Sequence, residues 1–332
     1  MGALNRGIRK SFSYLFRMMM ISAPQKKPVI VPAGLNPGDA VGIAAPAGAF
    51  DPERFDQGVR VIESLGFTPV IPEAVFERKR YLAGSDARRA DLLNRLFLDE
   101  SVKAIMCARG GFGSLNILSR LDFRAIGENP KIFAGFSDIS VLLSVIFEKT
   151  GLVTFHAPVV TSLAEAGERT KKALVAAFTN PQAMTLSVEA GVTVAPGRAD
   201  GVVRGGNLAS LCQMTGTPYQ PDFRGSLLLL EDVNEAPYRI DRMLSQMRLA
   251  GCLDDVAGVM LGGFDRCGDT DEIHDIVKSR FPSGIPILGG LPVGHDGENL
   301  ALPLGLTATL DADRHLLQYH APPVSSGYGK IL

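Results

Sequence analysis

The chain has 332 residues, 46% of them hydrophobic, with 34 basic and 35 acidic side chains and a formal net charge of −1. That length and apolar content allow a sizeable core and point to two domains. The balanced charge, with no basic stripe after residue 30, argues against a nucleic-acid binder.

Cys107, Cys212, Cys252 and Cys267 are scattered, with no CxxC pair and no histidine at ligand spacing. Neither a metal site nor a disulfide framework is indicated, and buried thiols in a reducing, cytoplasmic compartment are expected. Residues 1–27 differ from the rest: Arg6, Arg9 and Lys10 precede an apolar run from Phe12 to Ala23 that Arg17 interrupts. It is a poor signal peptide and too short for a membrane span. A disordered or amphipathic extension, or a true start at Met18, Met19 or Met20, is preferred to export or membrane association.

From Ala40 onward short apolar runs alternate with amphipathic segments, the pattern of an α/β domain built on a mainly parallel sheet. Strands are expected at Ala40–Ala45, Thr68–Ile71, Lys103–Ala108, Lys131–Ala134 and Val153–Phe155. Helices are expected at Pro52–Leu65, Ser85–Leu98, Gly113–Leu121, Asp138–Glu148 and Lys171–Phe178. This N-terminal domain covers residues 28–185. Residues 186–200 read as a linker with short strands, and a smaller C-terminal mixed α/β domain fills 201–332. There, strands are expected at Ser226–Leu230, Gly258–Leu261, Leu306–Leu310 and Leu316–Tyr319, with helices at Pro237–Ala250 and near Glu272–Arg280. The first of these helices has Ile240, Met243, Leu244 and Met247 on one face, Pro237 in its first turn and Gly251 after its end.

Ser137 carries the strongest chemical signal. It lies in Gly135-Phe136-Ser137-Asp138, between the end of an apolar strand and the start of a helical pattern. A tight turn there exposes the hydroxyl and aims the first N–H groups of the helix at whatever lies above it, which suits a nucleophile needing oxyanion stabilisation. The bland alternative is a helix N-cap. Two further residues would complete a triad. Glu231 closes the run Leu227–Leu230, and His295 lies in a Gly/Pro-rich loop. A serine nucleophile needs a base titrating near neutrality, and that base needs a carboxylate to fix its tautomer. Asp232 and Glu235 read as helix-dipole or capping acids. Arg239 and Arg242 read as solvated or ion-paired, and Gly205-Gly206-Asn207 as a turn before a helix. His274, His315 and His320 look like surface or strand residues, and His156 could either pack or line a pocket.

Five blocks together resemble the LD-carboxypeptidase family of serine peptidases, the muramoyltetrapeptide carboxypeptidase type. They are Tyr81-Leu82-Ala83-Gly84, Arg109-Gly110-Gly111-Phe112-Gly113, Gly135-Phe136-Ser137-Asp138, the run from Leu230 to Arg242, and Gly294-His295 followed by Leu302-Pro303-Leu304-Gly305. The resemblance implies a Ser137–Glu231–His295 triad at a domain interface. It also implies a homodimer without metal or organic cofactor, and a murein tetrapeptide substrate that loses its terminal D-alanine. The backbone N–H groups of Gly111 and Asp138 are candidates for the oxyanion hole. Phe112, Asn116, Ala47 and Phe136 stand where the family often has Tyr, Arg, Ser, and Tyr or His; these departures bear on substrate carboxylate binding rather than on the triad. Two other functions fit less well. A related hydrolase of peptidyl or aminoacyl nucleotides, as in microcin C immunity, would be expected to stack a base on an aromatic ring, and the chain has no tryptophan. A non-catalytic peptide-binding protein leaves the three residues unexplained.

Overall fold

The computed structural model describes residues 27–327 and 329–332. The expectations for the N-terminal extension therefore fall, apart from Lys27, outside the described residues. Among the described residues no helix is long and apolar enough to cross a membrane.

The described residues form two large sheets and one two-stranded sheet. The first contains β2 (Ala40–Ala44), β3 (Thr68–Val70), β4 (Val102–Cys107), β5 (Ile132–Gly135), β6 (Thr154–His156) and β13 (Leu302–Leu304), in the order β13-β6-β5-β4-β2-β3. All neighbours are parallel except β13, which runs antiparallel to β6. The central strands are near-continuous apolar runs because helices cover the sheet. The helix Pro52–Ser64 starts at Asp51, whose side chain accepts from Arg54 N, and buries Phe55 and Ile62. Ser85 caps the helix Asp86–Leu98 in the same way, and its buried face includes Ala90, Leu93 and Phe97.

The second sheet has eight strands: β7 (Thr185–Ser187), β8 (Val192–Ala195), β9 (Arg198–Asn207), β10 (Ser226–Val233), β11 (Gly258–Asp265), β12 (Ile287–Gly289), β14 (Thr307–Asp311) and β15 (Leu316–Tyr319). Their order is β7-β15-β14-β9-β10-β11-β12-β8. The segment 186–200, read from sequence as a linker, thus contributes β8, most of β7 and the start of β9 to this sheet. Its half-exposed edge strands lack the apolar run that marks a buried one. Two pairings cross the expected division of the chain. β13 completes the first sheet from the second half, and β1 (Ile30–Val31) pairs with β16 (Lys330–Ile331).

The helix Ser140–Thr150 is almost wholly buried and ends at the left-handed Gly151. Ser140 Oγ accepts from Asn207 N at 3.0 Å, linking this helix to the end of β9. The stretch expected as one helix over Gly113–Leu121 is a short helix, Ser114–Ile117, followed by a 3-10 turn, Leu118–Arg120.

Candidate active site

A crevice opens where the carboxyl ends of β4 and β5 meet, the position at which open parallel sheets gather ligands. After β5, Phe136 is extended and Ser137 adopts φ 62°, before a turn over Ser137–Ile139 leads into the helix Ser140–Thr150. A left-handed conformation in a residue with a Cβ costs about 1–2 kcal/mol, so neighbouring structure must hold it. Part of that structure is Gly110. A Cβ there would lie 2.8 Å from Ser137 Cβ and 3.0 Å from its Oγ, so only glycine lets the backbone pass this close to the serine.

The loop after β4 is pinned on several sides. Gly48 N donates to Gly110 O at 3.0 Å, and the Arg109 guanidinium donates to Ala49 O. The buried Arg89 donates to Gly113 O at 2.8 Å and also to Pro46 O. Asp138 ties this loop to the serine turn: its buried carboxylate accepts from Ser114 N at 2.8 Å, capping the short helix. Burial pushes the Asp138 carboxyl above its ordinary range, against the opposing Ser114 N–H.

Glu231 lies inside β10 rather than at its end, opposite Asn207 of β9. The β10–β11 register shifts between Leu230 and Asp232, setting Gly262 and Gly263 against the single residue Glu231. Such an irregularity re-aims a side chain. The Glu231 side chain is fully buried, and its Oε2 lies 2.7 Å from His295 Nδ1. An ionised carboxylate only accepts, so Nδ1 carries the proton. His295 comes from the loop after β12, where Gly294 has φ 121° and a Cβ would sit 2.9 Å from Glu231 Oε2.

That loop is pinned within itself and to the helix Glu168–Thr179. Gly294 N donates to Asn299 Oδ1 at 3.0 Å, Asn299 N donates to Thr170 Oγ1 at 3.3 Å, and Arg169 pairs with Glu298 at 2.8 Å. The His295 ring rests on Phe136, with centroids 4.7 Å apart.

Electrostatics follow from this burial. Desolvation would raise the Glu231 carboxyl, but the imidazoles of His156 and His295 outweigh it and hold it below the ordinary range. Desolvation would lower His295, but its bond to Glu231 and the nearby carboxylates outweigh it and hold it above 6.5.

Ser137 and His295 line one cleft of about 570 Å3, together with Arg109, Gly110, Gly111 and Val233. The other acids of the Glu231 segment bond elsewhere. Asp232 accepts from Asn207 Nδ2, Ala209 N and Val233 N, so it caps the helix Leu208–Cys212, and burial pushes its carboxyl up to about 6. Glu235 pairs with Arg239 at 3.5 Å. His274 is buried, although the sequence suggested a surface position.

Sequence reasoning missed Asp51 and Arg54, which also line the cleft. The available signal was their place at the start of the helix that follows β2. It also left His156 open, and that ring lies fully buried beside Glu231.

A two-domain α/β fold of this kind defines a serine carboxypeptidase hydrolase once its relatives are considered. Residues 41–157 match the LD-carboxypeptidase N-terminal domain and residues 200–310 the LD-carboxypeptidase C-terminal domain, and the chain belongs to that family. It is 37% identical over 290 residues to the Bacillus subtilis protein named Probable murein peptide carboxypeptidase, covering 84% of this chain and 91% of that one. It is 32% identical over 290 residues to the murein tetrapeptide carboxypeptidase of Pseudomonas aeruginosa, covering 82% and 94%. A solved structure of MccF in complex with glutamyl sulfamoyl guanosine superposes with a TM-score of 0.81 at 26% identity, covering 89% of this chain and 99% of that one.

Proposed function

We propose that the protein is a serine LD-carboxypeptidase that removes the terminal D-alanine of murein tetrapeptides during peptidoglycan recycling, as a cytoplasmic homodimer without a cofactor. The observation that carries this reading is the 2.7 Å bond from His295 to the buried Glu231, at a cleft that Ser137, on a strained turn, also lines. Ser137 Oγ attacks the scissile carbonyl while His295 Nε2 takes its proton. The same nitrogen then protonates the leaving amine of D-alanine, and Glu231 orients and stabilises the imidazolium. Water repeats the cycle on the acyl-enzyme. Asp138 N–H, next to the nucleophile, and Gly111 N–H, on a glycine with φ 98°, are the donors assigned to the oxyanion. Arg54 and Arg109 bring positive charge to the cleft, which suits a peptide ending in a carboxylate.

The deciding experiment incubates the purified protein with murein tetrapeptide, with analogues of inverted configuration at the scissile bond, and with an aminoacyl sulfamoyl nucleotide. Release of D-alanine from the L,D-bond alone is the expected result. Turnover of the nucleotide alone would favour the second reading, to which the likeness to MccF lends support and the absence of tryptophan does not.

Two further results are expected. Activity requires neutral His295, whose pKa is raised above 6.5, so kcat/KM falls as pH drops through a value above 6.5. Glu231→Gln removes the raising charge and moves that limb to lower pH in a pH–rate profile. Because Ser137 supplies the nucleophile and His295 the base, turnover survives exhaustive chelation. Loss with EDTA and recovery with zinc would defeat the serine mechanism.

A further inference from the structure

Glu231 has two carboxylate oxygens, and only one is accounted for by His295. Oε2 is bound to His295, whereas Oε1 is buried and forms no hydrogen bond among the described residues. A buried carboxylate oxygen without a donor is costly. The nitrogen facing Oε1 is His156 Nε2, at 3.8 Å, slightly beyond hydrogen-bond distance. His156 is itself fully buried, and neither of its ring nitrogens has a hydrogen-bond partner among the described residues. A buried donor and a buried acceptor thus face each other.

The position of His156 gives this pair a purpose. It is the last residue of β6, paired with Gly135 of β5, two residues before Ser137. On the other side it pairs with Leu302 of β13, seven residues after His295. The Phe136 ring contacts both imidazoles, with centroids 5.9 Å from His156 and 4.7 Å from His295. His156 therefore belongs to the sheet that carries the nucleophile, while the oxygen it faces belongs to the sheet that carries Glu231.

We propose that His156 is a positioning residue for the triad: its Nε2–H is directed at Glu231 Oε1, holding the carboxylate between two imidazoles and fixing the Glu231–His295 pair relative to Ser137. This rests on the triad reading given above. With both oxygens engaged the carboxylate cannot rotate, and the His295 ring keeps the orientation its tautomer requires. His156 touches no substrate in this account and acts through Glu231.

The test compares His156→Phe, which keeps a ring but no donor, with His156→Gln, whose amide can reach the Nε2 position. His156→Phe is expected to lower kcat by about 10- to 100-fold, as outer partners of catalytic groups do, with KM nearly unchanged, and His156→Gln to recover most of the loss. The deshielded His295 Nδ1–H proton resonance should move or broaden in His156→Phe and return in His156→Gln. Equal activity of the two variants, or wild-type turnover and an unchanged resonance in His156→Phe, overturns the proposal. Should His156→Phe fail to fold, His156→Asn, whose shorter amide reaches only the Nδ1 position, replaces it; equal turnover in Asn and Gln variants is then the contrary result. Ser137→Ala, run in parallel, separates the two levels. Activity in that variant defeats the triad and this inference with it, whereas an inactive Ser137→Ala beside an unaffected His156→Phe defeats the inference alone.

Discussion

Ser137→Ala is expected to abolish D-alanine release while leaving the fold intact. Loss of a triad nucleophile can lower kcat by on the order of 10⁶-fold, because the remaining groups bind and polarise the carbonyl but nothing attacks it. Alanine keeps the Cβ that Gly110 accommodates and is strained at φ 62° just as serine is, so the turn is not rebuilt. The check is a steady-state assay of released D-alanine beside a thermal melt. Retention of more than about a tenth of wild-type turnover would remove Ser137 as the nucleophile.

The second large effect separates three neighbouring acids. Glu231→Gln is expected to reduce kcat by about 10⁴-fold, by comparison with carboxylate-to-amide changes in other triads. The amide can present an N–H to His295 Nδ1, which favours the wrong tautomer, and it carries no charge to stabilise the imidazolium. Asp232→Asn should behave differently. Its carboxylate accepts from three N–H groups, and an amide offers only one acceptor oxygen, so the melting temperature falls more than kcat does. Glu235→Gln loses only a pair with the half-exposed Arg239 and should change neither quantity much. His295→Ala should match Ser137→Ala, and adding Glu231→Gln to it should cost little more, because the residues act as one unit. Similar mild losses from all three acidic substitutions would mean the carboxylate has been assigned to the wrong residue.

Much of this arrangement is legible in the sequence because it rests on local patterns. Apolar runs mark β2, β4, β5 and β10 since those strands are buried on both faces. The change from strand to helical periodicity brackets Ser137, and an ionisable group next to four consecutive leucines demands a partner. Other features depend on contacts between distant parts of the chain and leave no local trace. β13 is a three-residue strand containing Pro303, and nothing in Leu-Pro-Leu indicates that it joins the sheet that begins at Ala40. The left-handed Ser137 becomes visible only with Gly110 against it. His156 reads as a histidine that either packs or lines a pocket until the second sheet brings Glu231 to its ring.

The late pairing of β13 with β6 bears on how the protein is made. During synthesis the chain up to His156 can assemble five parallel strands, but β6 stays a bare edge until residues 302–304 leave the ribosome. By then Glu231 and His295 have also emerged. The last strand of the sheet that carries Ser137 thus arrives after Glu231 and His295, and β1 finds β16 later still. A nascent or truncated chain ending before residue 302 carries Ser137 one strand in from an unfinished edge, which exposes that sheet to aggregation.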